Sequence, residues 1–221
     1  MNDMLIAQAD KMFVLEDPVD YAPPAEMQIG ARAAAAGEPL DSFVYDLLLE
    51  HEGRNILYLP GANFVGCSLG AAREMMASEH TVLGLGDGGA HYGFICDASF
   101  PTFVLTYWVR DVTPEQRFPL EWAVAELSRR PAEAVGLTDR GLVAPGMKAD
   151  LNVIDQDRLT LFAPRTVYDL PAGGRRLRQR AEGYVATIVN GVVTYRGGDP
   201  TGALPGRLVR RPGAEQARLA A

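Results

Sequence analysis

The sequence predicts an α/β fold that gives way to a β-rich C-terminal part. Short apolar runs of strand length, RNILYLP at 54–60 and TVLGLG at 81–86, flank a helix-patterned segment at 69–78. Strand–helix–strand spacing of this kind is typical of α/β folds. After about residue 140 the helical periodicity ends, and two β-patterned runs flank Asn190-Gly191. Asn-Gly between such runs is the strongest short signal of a β-hairpin.

Capping and turn residues place the individual elements. Gly37 is a usual residue just after a helix, Asp41 and Ser68 are usual helix N-caps, and Gly53 ends a helical pattern. In chain order we expect a strand at 12–15, helices at 26–36 and 42–51, a strand at 54–60, a helix at 69–78, a strand at 81–86, helices at 100–110, 119–129 and 131–136, and strands at 149–154, 184–189 and 192–196. The expected domains are 1–140 and 141–221, the second with a closing hairpin and a tail.

Composition excludes several classes of protein. Hydrophobic residues make up 48% of the 221-residue chain, which favours a packed core, and the net charge of −7 disfavours a nucleic-acid partner. No apolar run reaches the ~18–20 residues that span a membrane. The first thirty residues are acidic, unlike an export signal, so we expect a cytoplasmic protein with Cys67 and Cys96 as free thiols. The basic run at 174–180 is interpreted as an exposed loop or ion-pair site rather than a phosphate patch.

The segment best suited to chemistry is the glycine-rich turn after the run at 81–86. It places Asp87 between glycines at the carboxyl end of a predicted buried strand, where α/β folds display catalytic groups. A carboxylate there can bind a divalent metal and accept a proton from water, and Gly88 and Gly89 would let substrate approach the backbone. His91 is a candidate substrate contact, although a surface imidazole is the simpler interpretation.

Two other interpretations of this segment remain open from spacing alone. Asp87-Gly88 also fits an ordinary turn without function. Gly84, Gly86 and Gly89 match the dinucleotide-binding pattern G-x-G-x-x-G, with Asp111 at a suitable distance for the acidic residue. That pattern requires a helix that opens at the third glycine and a strand before the acidic residue, and neither is predicted here.

A family resemblance favours the metal-site interpretation. VLGLGDGGAH resembles the strand-eight motif of amidohydrolases, and FICDASFPTFVLTYWVRD is similar to the loop and helix that follow it in the N-acyl-D-amino-acid deacylase (D-aminoacylase) group. The runs PLEWAVAELSRRPAEAVGLTDRGLVAPGMKADLNVID and IVNGVVTYRGGDPTGALPGRLVR resemble the exit from the barrel and the closing hairpin and tail of that group. The resemblance covers about residues 12–210.

The resemblance implies a partial TIM-like (β/α) barrel, formed by the last strands, followed by a small β-sandwich-type C-terminal domain. It implies that Asp87 is both metal ligand and general base, that the metal is divalent and most often zinc, and that the substrate is a small amide. An arginine after the aspartate is implied to hold the substrate carboxylate; 90–103 contains none and the first is Arg110. The expected substrate class therefore widens to compounds with an amide or other C–N bond.

Two features that the family resemblance implies are missing from this sequence: an HxH pair that binds metal, and enough residues for a complete barrel. The chain has three histidines, His51, His80 and His91, and no HxH pair. A complete barrel needs ~250 residues, whereas only residues 1–140 are assigned to the barrel here. We therefore expect the C-terminal portion of a metal-dependent amidohydrolase that is inactive alone. The alternative is a non-catalytic binding or assembly module that pairs with a complementing N-terminal chain or with itself.

Overall fold

The computed structural model describes residues 6–61, 63–84 and 91–209. Its fold is mixed α/β. The chain divides into two compact units, each built from discontinuous segments. The first unit contains the described parts of 1–81, 89–96 and 162–179, and the second those of 82–88, 97–161 and 180–221. Within the described ranges, no helix combines the length and apolar character needed to cross a membrane.

The first unit contains three α-helices and two antiparallel strand pairs. The helices are α1 (Ile29–Ala36), α2 (Leu40–Gly53) and α3 (Gly70–Ala77). Strand β1 (Phe13–Leu15) pairs with β2 (Ile56–Tyr58), and β5 (Arg165–Leu170) pairs with β6 (Gly174–Arg178). Short 3-10 turns lie at Ala9–Lys11, Ala25–Met27 and Pro171–Gly173. The core centres on Met12, Ile29 and Leu47, against which side chains of α2, β1 and β2 pack.

Of the predicted caps in this unit, Gly37 after α1 is confirmed, whereas the N-cap position of α3 is occupied by Leu69 and not by Ser68. Gly37 follows α1 with a φ of 71°, and its N–H bonds to the Ala34 carbonyl. The Ser68 hydroxyl accepts a hydrogen bond of 3.1 Å from the Gly70 N–H at the start of α3. The predicted cap at Asp41 is wrong, because α2 begins earlier, after Pro39, and no side chain caps it. Its last turn is irregular, with non-helical backbone at 50–52.

The second unit combines helices with an antiparallel sheet. Helix α4 (Phe100–Phe103) continues as a π-helix at Val104–Asp111, and α5 (Leu120–Leu127) and α6 (Arg129–Ala134) follow. The sheet has the order β10-β9-β8-β3, formed by β3 (Leu151–Ile154), β8 (Tyr184–Val189), β9 (Val192–Arg196) and β10 (Asp199–Pro200). A two-residue pair, β4 (Thr160–Leu161) with β7 (Ala181–Glu182), completes the strands, and 3-10 turns lie at Asp97–Ser99 and Pro114–Gln116.

The predicted closing hairpin is confirmed. Strands β8 and β9 have the predicted bounds, and Val189 faces Val192 across the turn. Asn190 and Gly191 have φ values of 51° and 79°, as a tight hairpin turn requires. The Asp150 carboxylate accepts a bond of 2.8 Å from the Asn190 N–H, which fixes the turn to the start of β3.

The π-helix is held by a turn that lies farther along the chain. A π-helix is rare, and here it covers most of the segment predicted as an ordinary helix at 100–110. The Arg110 guanidinium donates to the carbonyls of Gln156 and Leu159, both at 2.9 Å, and the Gln156 amide donates to the Leu105 carbonyl at 2.7 Å. Leu159 is buried against Gly183, whose φ of 97° and close backbone approach leave no room for a side chain.

Every strand pair among the described residues is antiparallel. The predicted strand at 81–86 is wrong for its described part, since Thr81–Gly84 has no strand. The Thr81 hydroxyl instead bonds back to the Met75 carbonyl at the end of α3, and Val82 is half-exposed. A strand needs a neighbouring ladder, and no described strand pairs with this run. The partial barrel stays a prediction.

An ion pair whose carboxylate is buried connects helix α5 to helix α6. The Glu126 side chain is 3% exposed and accepts a bond of 2.9 Å from Arg130. Replacing Glu126 by Ala should lower the free energy of unfolding by roughly 1–3 kcal/mol, because it removes a charge-assisted hydrogen bond and leaves the space of a buried side chain unfilled. The matched Glu133→Ala change breaks the exposed Arg129 pair at 2.7 Å and should cost clearly less, because exposed ion pairs contribute little to stability. Equal losses in urea unfolding would contradict this assignment.

Candidate functional site

The predicted catalytic turn lies largely outside the described residues. Asp87, Gly88 and Gly89 fall in 85–90, so their predicted roles stay predictions. The structure describes both flanks of the turn. Upstream, Thr81–Gly84 leads away from α3 without regular structure, and downstream the chain resumes at His91.

The segment 91–96 forms a compact turn around the His91 carbonyl. That carbonyl accepts hydrogen bonds from the N–H groups of Phe94 at 2.9 Å and Ile95 at 3.0 Å. His91 has a φ of 51°, and its exposed imidazole lies 5.2 Å from the Phe94 ring. The imidazole therefore lies on the side of the segment that carries the Phe94 ring. The contact of His91 with substrate stays a prediction.

Strand β6 binds this segment along its outer edge. The Leu177 N–H donates to the Tyr92 carbonyl at 2.8 Å, and both residues belong to the first unit. Leu177 faces Thr166 in the β5–β6 ladder, and because its N–H bonds to Tyr92, the two residues form a non-hydrogen-bonded pair of that ladder. The residues just after the predicted catalytic turn are thereby fixed to a hairpin about 85 positions farther along the chain.

The basic run at 174–180 contributes an ion pair beside this contact. The Arg176 guanidinium donates two hydrogen bonds of 2.7 Å to the Asp169 carboxylate on β5. This pairing holds the pKa of Asp169 below its ordinary value and raises the pKa of Arg176. For Arg176, the ion-pair interpretation is therefore confirmed. The run forms strand β6, so the expected loop is wrong.

Arg110 and Asp111 have structural partners in the second unit. Asp111 is bonded to the Arg110 guanidinium at 2.6 Å, and the same guanidinium holds the turn at 156–159. Asp111 ends a π-helix, and 91–96 is a turn rather than the start of a helix. Both features contradict the dinucleotide-binding interpretation, which needs a helix after Gly89 and a strand before its acidic residue.

The three histidines belong to different segments of the described chain. His51 occupies the irregular end of α2 with a φ of 49°, and His80 is exposed beside Glu79 at 3.6 Å. Within 6–61, 63–84 and 91–209, no group of three His, Cys, Asp or Glu residues is arranged to hold a metal ion. Because a catalytic zinc usually takes three protein ligands, the described residues by themselves do not fit the metal that the family resemblance implies.

Comparison with known proteins assigns the family. A family model described as "Amidohydrolase family" matches residues 23–195. The chain belongs to the amidohydrolase family. The matched range includes the predicted catalytic turn, the π-helix and the closing hairpin. The resemblance to amidohydrolases of the D-aminoacylase group is thereby confirmed, since relatives and solved structures of that group match as well.

Two curated relatives and one solved structure illustrate the similarity. An N-acyl-D-glutamate deacylase of Alcaligenes xylosoxydans xylosoxydans is 34% identical over 110 residues, covering 50% of this chain and 20% of the relative. A dihydroorotase of Lactobacillus acidophilus is 32% identical over 94 residues, covering 42% and 22%. A D-aminoacylase mutant in complex with 100 mM CuCl2 matches with a TM-score of 0.50 at 23% identity, covering 90% of this amidohydrolase and 38% of that chain.

These comparisons show how much of the fold and of the length this chain shares with the similar proteins. The likeness to the D-aminoacylase structure shows a common fold over the covered part. The matches span about a fifth of the length of the two curated relatives.

The β5–β6 hairpin is the part of the site region that the sequence predictions missed. Its signals are present: Thr166, Val167 and Tyr168 favour a strand, and Pro171 to Gly174 suits a turn. The clustered arginines favoured a loop over the second strand, because charged runs are usually exposed loops.

A second carboxylate, Asp17, holds the start of this hairpin. It accepts hydrogen bonds from the Ala163 N–H at 2.6 Å and from Arg165 at 2.9 Å.

The Asp169–Arg176 pair should make the first unit sensitive to acid. The pKa of Asp169 is lower in the folded state than in the unfolded state, where it lies near 4. Its contribution is therefore present above about pH 4 and is lost as the pH falls through the folded pKa. Asp169→Asn should lower the thermal midpoint at pH 7 and reduce its further fall between about pH 5 and 3, measured by circular dichroism. Asp46→Asn, on the exposed side of α2, is the control and should leave the acid response unchanged.

Proposed function

We propose that this chain forms the C-terminal portion of a metal-dependent amidohydrolase that hydrolyses non-peptide C–N bonds of small amides of the N-acyl amino acid type. The observation that carries the proposal is the family match over 23–195, which contains the Asp87 turn. The N-acyl-D-glutamate deacylase relative supports the N-acyl amino acid class, and the dihydroorotase supports C–N chemistry more broadly.

Asp87 is the proposed catalytic residue. Its carboxylate would take a proton from the attacking water and deliver it to the leaving nitrogen, the two roles of a general base and a general acid. Gly88 and Gly89 would leave space for substrate beside the backbone, and His91 would contact it from the segment held by β6. The exposed position of the His91 imidazole is consistent with a contact at the rim of a site.

A divalent metal, zinc by expectation, remains part of the proposal for the whole enzyme. The neighbouring D-aminoacylase structure carries copper chloride in its description, which supports a divalent ion. Because the described residues supply no group of three ligands, we propose that further metal ligands come from residues of a complementing N-terminal chain. The chain alone is then expected to be inactive, in the cytoplasm, with free Cys67 and Cys96.

Complementation tests this proposal. The chain mixed with the N-terminal part of a related deacylase should hydrolyse N-acyl-D-glutamate when zinc is present, and Asp87→Asn should lower kcat/KM by roughly 10²–10⁴-fold, as expected for loss of acid–base catalysis. Asp46→Asn is the control and should retain full turnover. Turnover that survives Asp87→Asn would exclude the proposed role of Asp87, and tight zinc with turnover by the chain alone would exclude its inactivity.

A second candidate is a non-catalytic assembly module, and two observations favour it. Helix α2 exposes an apolar stripe in which Tyr45, Leu48 and Leu49 are 63%, 45% and 57% exposed. These positions lie on one side of a helix, and contiguous exposed apolar surface commonly marks an interaction site. The sheet of the second unit also leaves β3 and β10 as edge strands among the described residues, which favours pairing with another chain.

Light scattering tests the assembly module. The purified chain should self-associate, and Leu49→Lys should weaken association at least tenfold, because it places a charge in the centre of the α2 stripe. The control is Val143→Lys, which changes an apolar residue that lies outside α2 and is 88% exposed. A monodisperse monomer over the micromolar range, for the unmodified chain, would count against this candidate.

A further inference from the structure

We infer that the open edge of strand β5 is a docking surface for an extended acidic segment of another protein. The backbone of that segment pairs with Thr166, and one of its carboxylates lies between Arg165 and Arg178. The inference goes beyond the proposed function, because no residue of the predicted catalytic turn takes part in it.

The pairing of β5 with β6 leaves the outer edge of β5 open. Thr166 faces Leu177 in this ladder, and the Leu177 N–H bonds to the Tyr92 carbonyl rather than to β5. The N–H and the carbonyl of Thr166 therefore also point away from the partner strand. Thr166 is exposed, and among the described residues neither of these two groups has a hydrogen-bond partner. An edge of this kind is a template for a further strand.

Two arginines oppose each other beside this edge. Arg165 lies directly opposite Arg178 in the ladder, and both residues are exposed. Directly opposed residues of an antiparallel pair have Cβ atoms about 5 Å apart, and like charges at that distance destabilise the sheet. Arg176 lies two positions before Arg178 on β6 and therefore on the same face. This face of the hairpin thus carries three guanidinium groups.

Carboxylates of the first unit pair with two of these three groups. Asp169 accepts two hydrogen bonds of 2.7 Å from Arg176, and Asp17 accepts one of 2.9 Å from a single terminal nitrogen of Arg165. Within the part of the chain that the structure describes, Arg178 has no carboxylate partner. A guanidinium has five N–H donors, so Arg165 keeps donors that Asp17 does not use. The face therefore has room for one more carboxylate, between Arg165 and Arg178.

The open edge and the charges together define the partner. In an antiparallel strand added to β5, the residue opposite Thr166 exchanges both hydrogen bonds with it. The next residue of that strand lies opposite Arg165, on the face that also carries Arg178, so an acidic side chain there contacts both guanidinium groups. On the other face, Tyr168 is 71% exposed and offers an apolar contact. A segment that alternates acidic and apolar residues fits both faces, whereas a small anion leaves the Thr166 backbone unpaired.

A labelled peptide of three Glu-Val repeats tests this surface. Fluorescence anisotropy with the full chain should show saturable binding that weakens as salt is added, because exposed charges are screened. A peptide of the order Glu-Glu-Glu-Val-Val-Val has the same charge without the alternation, and it should bind about fivefold more weakly or worse, since backbone pairing is lost. Equal affinity of the two peptides, or full displacement by an equal concentration of inorganic phosphate, would show a general anion surface and overturn the inference.

Two arginines of β6 provide matched variants of the charged face. Arg178→Gln and Arg175→Gln each remove one exposed charge from the same strand, but Arg175 lies on the face opposite Arg178. Arg178→Gln should weaken binding of the alternating peptide about fivefold, the upper range for an exposed ion pair, and Arg175→Gln less than about twofold. Equal losses in the two variants would contradict a carboxylate between Arg165 and Arg178.

N-methylation of the peptide tests the backbone pairing and leaves the protein unchanged. In the added strand, the Val amides face β5 and the Glu amides face solvent. Methylation of the Val amides should weaken binding about tenfold, because the bond to the Thr166 carbonyl is lost, and methylation of the Glu amides less than about twofold. Equal effects would exclude strand addition. Dimerisation of the chain that displaces the peptide would assign the edge to a second copy and overturn the inference.

Discussion

The first unit depends on hydrogen bonds that join polar groups of segments far apart in the chain. The Asp17 carboxylate binds the Ala163 N–H across 146 positions, and Gln179 reaches Tyr21 across 158. Hydrogen bonds that charged oxygens accept are among the stronger ones. They join the β5–β6 hairpin to the chain around β1, and the hairpin in turn binds the segment 91–96. The pKa of Asp17 is lowered first by the Ala163 bond and then by Arg165, so this joint favours the ionised carboxylate.

The second unit follows the same rule with an arginine as donor. Arg110 supplies hydrogen bonds to two carbonyls of the turn at 156–159, and Gln156 returns one to the π-helix. The pKa of Arg110 is raised first by its bond to Asp111, which keeps the guanidinium charged. Arg110 is the first arginine after the predicted catalytic turn, and because it is bonded to these groups it has a structural role. In the first unit, the strand that binds the segment 91–96 carries Arg175, Arg176 and Arg178.

The candidate site illustrates how function is distributed in this amidohydrolase. The segment that follows the predicted acid–base residue in the sequence, 91–96, is held by a backbone group of a distant hairpin, and the described residues do not gather a set of metal ligands. Catalytic side chains commonly sit on loops whose position is fixed by a scaffold.

The sequence by itself determined the mixed α/β class, the family, and the local features whose causes are short-range. Gly37 after α1, Ser68 before α3 and Asn190-Gly191 between β8 and β9 each follow from the conformational preference of one or two residues. Tertiary structure decided the antiparallel pairing of β1 with β2, the π-helix at Val104–Asp111, and the absence of a strand over Thr81–Gly84. It also made a strand of the arginine run, because the Leu177 N–H finds a partner there, the Tyr92 carbonyl, that lies far away in the sequence. Pairing across such distances depends on which segments meet, and no local preference encodes that choice.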